Sequence, residues 1–402
     1  MLTSLAFIFL AGMVLSWLFK KFRLPGLLGM IVTGMLLGPY GLNILDAAIL
    51  SISPDLRKLA LIIILTRAGL SLDINDLKKV GRPAVLMCFL PACFEIIGMV
   101  IIAPRLLGVS VLDAAITGAV VGAVSPAVVI PKMLHLMDER YGTGKSIPQM
   151  IIAGASVDDV FVIVMFAAFT GLAQGDGVSA ADFLQIPISI ITGLVFGAIV
   201  GIFLAIFMKR ANIRDSAKVI IVLSISFLMV ALENGPKNIV PFSGLLAVMS
   251  LSATLQKKDR GMASRLSSKF SKLWVGAEII LFVLVGATVD LKYAIAAGIP
   301  AVLVIFGAII FRVAGVFLCM VKTSLNNKEK LFCMIAYVPK ATVQAAIGSI
   351  PLALGLSCGN IVLTVAVLAI IITAPLGALG VDLTYKRLLE KEENAISDIS
   401  PK

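Results

Sequence analysis

A chain of 402 residues that is 59% hydrophobic, only 14% charged and of mean hydropathy +1.06 lies far outside the range of soluble domains. It reads as an all-α polytopic membrane protein. The net charge of +11 could suggest a nucleic-acid partner, but the placement of the basic residues along the chain explains it as membrane topology, and no nucleic acid is expected.

Taken in chain order, apolar runs predict about thirteen transmembrane helices, at roughly 2–19, 24–42, 56–72, 83–104, 111–135, 147–172, 184–208, 217–234, 239–256, 275–291, 296–321, 331–354 and 360–386. Most of the 34 Lys and Arg fall in alternate loops: Lys20, Lys21 and Arg23, then Lys78, Lys79 and Arg82, then Lys209 to Lys218, then the run Lys257 to Lys272 and the C-terminal tail. The opposite loops hold only Arg57, Lys58, Arg105, Lys237 and Lys292. An odd number of spans with the N-terminus outside and the C-terminus cytoplasmic follows. The first span lacks a small-residue cleavage site and is expected to be retained. The absence of any organellar presequence points to a multi-pass protein of the cell (inner) membrane. Cys88, Cys93, Cys319, Cys333 and Cys358 lie in or beside spans and suit packing.

Two stretches end a span with Gly-x-x-x-Asp, at Gly69/Asp73 and Gly286/Asp290, 217 residues apart. The same offset carries the first span onto the eighth. It divides the chain into repeat one (1–174), a linker helix (184–209) and repeat two (217–389), and six spans plus a linker crossing make the second repeat inverted. Span five is interrupted by Ser125, Pro126 and Pro131, and span twelve at the matching place by Pro339, Lys340, Thr342 and Gln344. A proline removes a backbone donor, so the freed groups must face protein or a water-filled cavity. Paired broken helices in corresponding positions point to a binding site.

Five charges lie deep in spans: Glu95, Asp158, Asp159, Arg312 and Lys340. Intramembrane ionisable residues mark ion or proton pathways. Asp158 and Asp159 are adjacent in an apolar helix and can share one cavity that holds Na⁺. Ser156, three residues before Asp159, is placed to add a neutral oxygen, which favours Asp159 as principal ligand. Glu95 and Arg312 are 217 residues apart, so as symmetry mates near a two-fold axis they are expected to pair. Lys340 either neutralises carbonyl ends of the broken helices or pairs with an acid, the first being favoured. Ser125, Thr342 and Gln344 either line the crossing or are satisfied within their own helices. The five charges sum to −1, so one Na⁺ or one proton neutralises them, and the two compete for the same oxygens. That competition is the logic of antiport. His135, the one histidine, reads as an interfacial bystander, and no nucleotide-binding motif or cofactor is expected.

The runs RAGLSLD (67–73), AVSPAVVIP (123–131), GASVDDVFVI (154–163) and PKATVQAAIG (339–348), in that order, resemble the sodium/proton antiporters of the monovalent cation:proton antiporter superfamily, nearest the NHA-like branch with its two-aspartate motif. The resemblance implies a homodimer in membrane lipid, exchanging monovalent cations by an elevator motion. It also implies an ion-transporting core formed by helices within 83–174 and 296–386, and dimerisation helices within 1–80 and 217–291. It places the ion-binding aspartates at Asp158 and Asp159 and the broken-helix lysine at Lys340. Electrogenic relatives carry lysine where this chain has Arg312. That departure, with Glu95 as a second partner, favours electroneutral exchange of Na⁺ or Li⁺ for H⁺. Alternatives on related folds are K⁺/H⁺ antiport and sodium-coupled symport of an organic anion.

Overall fold

A computed structural model describes residues 1–22, 24–71, 81–174, 180–211, 213–233 and 242–392, and among these every element is helical apart from an isolated bridge between Tyr141 and Lys391. The first repeat holds α1 (Leu2–Lys21), α2 (Gly26–Leu37), α3 (Ala47–Ser51), α4 (Ser53–Ser71), α5 (Arg82–Met87), α6 (Leu90–Leu107), α7 (Val111–Val121), α8 (Pro126–Asp138) and α9 (Ile147–Ala173). Between the two repeats in the chain lies α10 (Ala180–Arg210). The second repeat holds α11 (Asp215–Glu233), α12 (Gly244–Lys258), α13 (Arg260–Ala287), α14 (Leu291–Cys319), α15 (Asn327–Ala336), α16 (Thr342–Ile347), α17 (Ile350–Ala353) and α18 (Gly359–Leu388).

Every expected span contains helix, but only nine stretches among the described residues are long and apolar enough to cross a membrane unaided. The others are short, broken or charged: α2 has 12 residues, the α16–α17 stretch is interrupted, and α4 carries Asp55, Arg57, Lys58 and Arg67. The largest departure is at the tenth span, expected from residue 275, where α13 begins at Arg260. Asp259 caps it, its carboxylate accepting from the Met262 amide at 2.9 Å. Met262, Leu266, Phe270 and Trp274 then recur at helical spacing on a buried face. The basic run expected to be a loop is therefore mostly helix, its charges carried on the other faces. Asp73, Lys78, Lys79, Arg23 and Lys237 lie outside the described residues.

The two-fold relation is visible in reciprocal packing. Helices α6 and α14, which the 217-residue offset superposes, lie against each other. A Cβ on Gly98 would stand 2.6 Å from the Phe311 ring, and one on Gly315 would stand 2.9 Å from the Pro91 Cα and 3.1 Å from Phe94. Gly98 and Gly315, like Phe94 and Phe311, are symmetry mates, so each helix offers a glycine to the other's phenylalanine. Small residues permit this close approach where lipid gives no hydrophobic drive for association. The same reciprocity joins α4 to α12 through Gly69 and α13 to α2 through Gly286, whose Cβ position is taken by the Ile31 carbonyl.

The packing separates two groups of helices. One gathers α1, α2, α4, α12 and α13, with α10 packed along α12; the other gathers α5 to α9 with α14 to α18. Glu95, Asp158, Asp159, Arg312 and Lys340 all fall in the second group.

Candidate ion-binding site

Two helices break at Pro126 and before Thr342 as expected, whereas Pro131, expected to interrupt span five as well, lies inside the continuous helix α8. α7 ends at Val121, Gly122–Ser125 runs non-helically, and α8 restarts at Pro126, whose missing N–H costs nothing in a first turn. α15 ends at Ala336 and α16 starts at Thr342 after a second unwound segment. The two segments cross and bond, the Ser125 amide donating to the Pro339 carbonyl at 2.8 Å.

Around this crossing the structure gathers four of the five buried charges into one network. Arg312, fully buried on α14, donates through Nη1 to Glu95 Oε2 at 2.8 Å and through Nη2 to Asp158 Oδ2 at 2.9 Å. Its Nε donates to the Tyr337 carbonyl at 2.7 Å, and Nη1 also meets the Gly122 carbonyl. Lys340 Nζ donates to the same Glu95 oxygen at 2.7 Å. Asp158 Oδ2 accepts a further bond from the Val124 amide at 2.8 Å, on the unwound segment. Glu95 and Arg312 thus meet across the repeat interface, and Arg312 spans two acids instead of serving one.

Lys340 does not take the role favoured for it. Its principal partner is Glu95, and only a long 3.5 Å contact reaches the Ala123 carbonyl. The carbonyl ends left by the break in α7 are served by Gln344, whose amide nitrogen lies 3.2 Å from Val120 O, 3.3 Å from Val121 O and 3.0 Å from Ala123 O. An ammonium beside a buried carboxylate gains more than one facing neutral carbonyls, so the neutral amide takes the carbonyls. Ser156 donates to Ile152 in its own helix at 2.8 Å, and no hydrogen bond joins it to Asp159 among the described residues.

Unsatisfied oxygens concentrate at the crossing. Among the described residues, buried side-chain atoms without a hydrogen-bond partner include Asp158 Oδ1, Asp159 Oδ1, Ser125 Oγ, Thr342 Oγ1 and Gln344 Oε1. Ser125 and Thr342 are themselves 217 residues apart. A buried polar atom left unpaired costs about 1–3 kcal/mol, and carboxylate, amide and hydroxyl oxygens are the ligand types a hard cation takes. Asp159 stands apart from its neighbour because no salt bridge reaches it among the described residues, whereas Asp158 is held by Arg312. Sequence reasoning missed three members of the network: Tyr337, the Gly122 carbonyl, and Thr373, whose hydroxyl accepts from the Lys340 amide at 2.9 Å. All three act through backbone or against backbone, which residue type does not reveal.

Inverted repeats crossing at a buried acid–base cluster define a secondary transporter of the cation/proton exchange class. The family described as "Sodium/hydrogen exchanger, transmembrane" matches residues 5–386. The chain is 34% identical over 385 residues to sodium/hydrogen exchanger 9B2 of Mus musculus, covering 92% of this chain and 70% of that protein. It is 30% identical over 385 residues to sodium/hydrogen exchanger 9B1 of Homo sapiens, covering 92% and 73%. The fold is that of the sodium proton antiporter MjNhaP1 from Methanocaldococcus jannaschii at pH 8, with TM-score 0.82 at 20% identity over 96% of this chain and 99% of that one. The chain belongs to the sodium/hydrogen exchanger family and carries out cation/proton antiport across a membrane.

Proposed function

We propose that the protein exchanges Na⁺ or Li⁺ for H⁺ at Asp159, one for one and without net charge movement. The observation that carries this reading is the pairing of charges at the crossing. Glu95 and Asp158 are matched by Arg312 and Lys340, which leaves Asp159 as the single uncompensated carboxylate. One Na⁺ or one proton neutralises the cluster, and a bare cluster holds a charge that resists passage through the low-dielectric interior. Crossing is therefore favoured only when loaded, and the two cargoes exclude each other.

Electroneutrality rests on the same pairing. Asp158 is tied to an arginine, which does not give up its proton, so its counter-charge stays in place through the cycle. Ser125, Thr342 and Gln344 supply neutral oxygens beside the acids. Movement is assigned to an elevator in which the helices of 83–174 and 296–386 carry the site against those of 1–80 and 217–291. The joining contacts of the moving group support it as one body: Lys132 to Asp382 at 2.5 Å, Lys145 to Glu329 at 2.8 Å and Tyr385 to Glu139 at 2.9 Å all link the two repeats. The bare apolar ridge of Leu10, Met13, Val14 and Trp17 on α1 suits lipid or a second copy, in keeping with a homodimer in the cell membrane with its N-terminus outside.

The test is proton flux in proteoliposomes of purified protein under an imposed pH gradient, with Na⁺, Li⁺ or K⁺ added in turn. Cation-triggered alkalinisation that is lost in Asp159→Asn and indifferent to a clamped membrane potential is expected. Flux that follows the clamped potential would overturn electroneutrality, and flux retained in Asp159→Asn would overturn the assignment of the site.

A further inference from the structure

Tyr337 is absent from the charge arithmetic, yet it touches the network in two ways and is anchored outside it by a third contact. It is fully buried at the C-terminal end of α15, where the chain leaves the helix. Its carbonyl accepts from Arg312 Nε at 2.7 Å, and its ring lies beneath the same guanidinium, with the Arg312 Cζ 5.2 Å from the ring centroid. Its hydroxyl donates to the Met87 carbonyl at 3.0 Å.

Each contact has a local cause. The Met87 carbonyl has no helical donor four residues on, because that residue is Pro91 and proline has no N–H. The Tyr337 hydroxyl fills that vacancy and pins the end of α15 against the joint between α5 and α6. Space for the hydroxyl comes from Gly154 on α9, where a Cβ would stand 2.5 Å from Tyr337 Oη and 2.8 Å from the Met87 Cβ. Gly154 is one helical turn before Asp158, on the same face. One face of α9 therefore admits the tyrosine with Gly154 and meets the arginine with Asp158.

A guanidinium that bridges two acids has a competing arrangement in which it turns wholly to one of them. The ring face and the Tyr337 carbonyl oppose that turn, because both address parts of the guanidinium that the acids leave open: its flat face and Nε. Planar stacking and a directed Nε bond are available to arginine and not to lysine. We propose that Tyr337 is a positioning residue that clamps Arg312 in its bridge between Asp158 and Glu95, keeping Asp158 engaged so that Asp159 alone answers to cargo. This rests on the antiport reading above and adds to it the element that separates the roles of the two adjacent aspartates.

The test compares Tyr337→Phe, Tyr337→Leu and Gly154→Ala with the wild type in proteoliposomes, reading Na⁺-triggered proton flux as a function of pH. Phenylalanine keeps the ring under Arg312 and is expected to leave the midpoint pH in place, the lost hydroxyl bond to Met87 lowering only the maximal rate or the melting temperature. Leucine removes the ring, and Gly154→Ala pushes the tyrosine from its seat without altering it. Both are expected to move the half-maximal pH to the alkaline side by about half to one unit, three- to tenfold in proton affinity. The sign follows from the loosened Arg312, which leaves the negative charge of Asp158 less compensated and the acid pair holding its proton more firmly. A residue of purely structural importance would lower the maximal rate and leave the midpoint in place. An unmoved midpoint in both Tyr337→Leu and Gly154→Ala overturns the clamp. A second arm needs no transport: in thermal melts, Tyr337→Leu and Arg312→Gln are expected to be non-additive, and additivity overturns the clamp as well. A wild type that melts cooperatively and exchanges no cation would sink the antiport reading, and the melting cycle would still decide the clamp.

Discussion

The bridge centred on Glu95 makes a quantitative prediction. Glu95 Oε2 accepts from Arg312 Nη1 at 2.8 Å and from Lys340 Nζ at 2.7 Å, and all three side chains are at most 1% exposed. Glu95→Gln keeps the shape and removes the charge, so two buried cations face each other with only Asp158 between them and the empty cluster changes from −1 to 0. Removing one partner of a buried ion pair costs about 3–5 kcal/mol, because the remaining charge stays desolvated and unpaired. Arg312→Gln is expected to cost a similar amount and takes the empty cluster to −2. The double variant Glu95→Gln/Arg312→Gln restores −1, with Lys340 left to answer the aspartates. It should therefore melt above the sum of the single effects, with a coupling of about 2 kcal/mol or more. The assay is thermal melting of the four proteins in one detergent, with proteoliposome flux measured in parallel. If the double variant melts no higher than the additive expectation, the two groups do not form the energetic unit their geometry implies and the charge count behind electroneutral exchange fails with it.

Other consequences are equally direct. Asp159→Asn is expected to abolish exchange with little change in melting temperature, whereas Asp158→Asn should lose exchange and also destabilise by about 3–5 kcal/mol, since Arg312 loses a charged partner; equal melting of the two variants would contradict the division of roles. Gly98→Ala places a Cβ 2.6 Å from the Phe311 ring, and Gly315→Ala does the same against Phe94 at 3.1 Å, so each should cost about 1–3 kcal/mol by thermal melting, the larger loss being at Gly98. The hydrogen bond from Lys145 to buried Glu329 holds the Lys145 ammonium above the usual lysine range. Its raised folded-state value means that the stabilisation is fully present below the unfolded value and is lost only as pH rises through the folded one. Lys145→Met should therefore lower the melting temperature equally at pH 6 and pH 9, and a difference between those two would disprove the pairing.

What the sequence disclosed about this site and what it hid divide along a physical line. The offset of 217 was readable because an inverted repeat copies side-chain pattern, and mates that fall beside the two-fold axis must meet. Glu95 with Arg312 follows from that one number, and the structure adds Gly98 with Phe311 and Gly315 with Phe94 on the same symmetry. The breaks at Pro126 and Pro339 were readable because proline forbids the helical bond. The choice between Lys340 and Gln344 as partner of the freed carbonyls was not, because it depends on which donor the crossing geometry leaves nearest to Glu95. Tyr337 was hidden for a related reason, its mate under the offset being Val120, so the symmetry that exposed Glu95 and Arg312 is silent there. The start of α13 was missed because basic residues on one face masked the buried period of Met262, Leu266, Phe270 and Trp274.

The repeat is symmetric in backbone and asymmetric in charge, and the asymmetry is what makes a carrier. Under the elevator proposed above, symmetric packing would give the crossing segments equivalent surroundings on the two sides of the membrane. A symmetric charge distribution would give each half its own acid and its own base and leave no net site. Here Glu95 opposes Arg312, and Lys340 stands opposite Ala123, whose carbonyl it approaches at 3.5 Å. The two cations come from the second repeat, the three acids from the first, and the odd acid is Asp159. Because α9 supplies both aspartates from consecutive positions, about 100° apart around the helix, one can face Arg312 while its neighbour points elsewhere. A substitution that moved the pair to an i, i+4 spacing would put both carboxylates on one face within reach of the arginine, and the free carboxylate that one-for-one exchange requires would be lost.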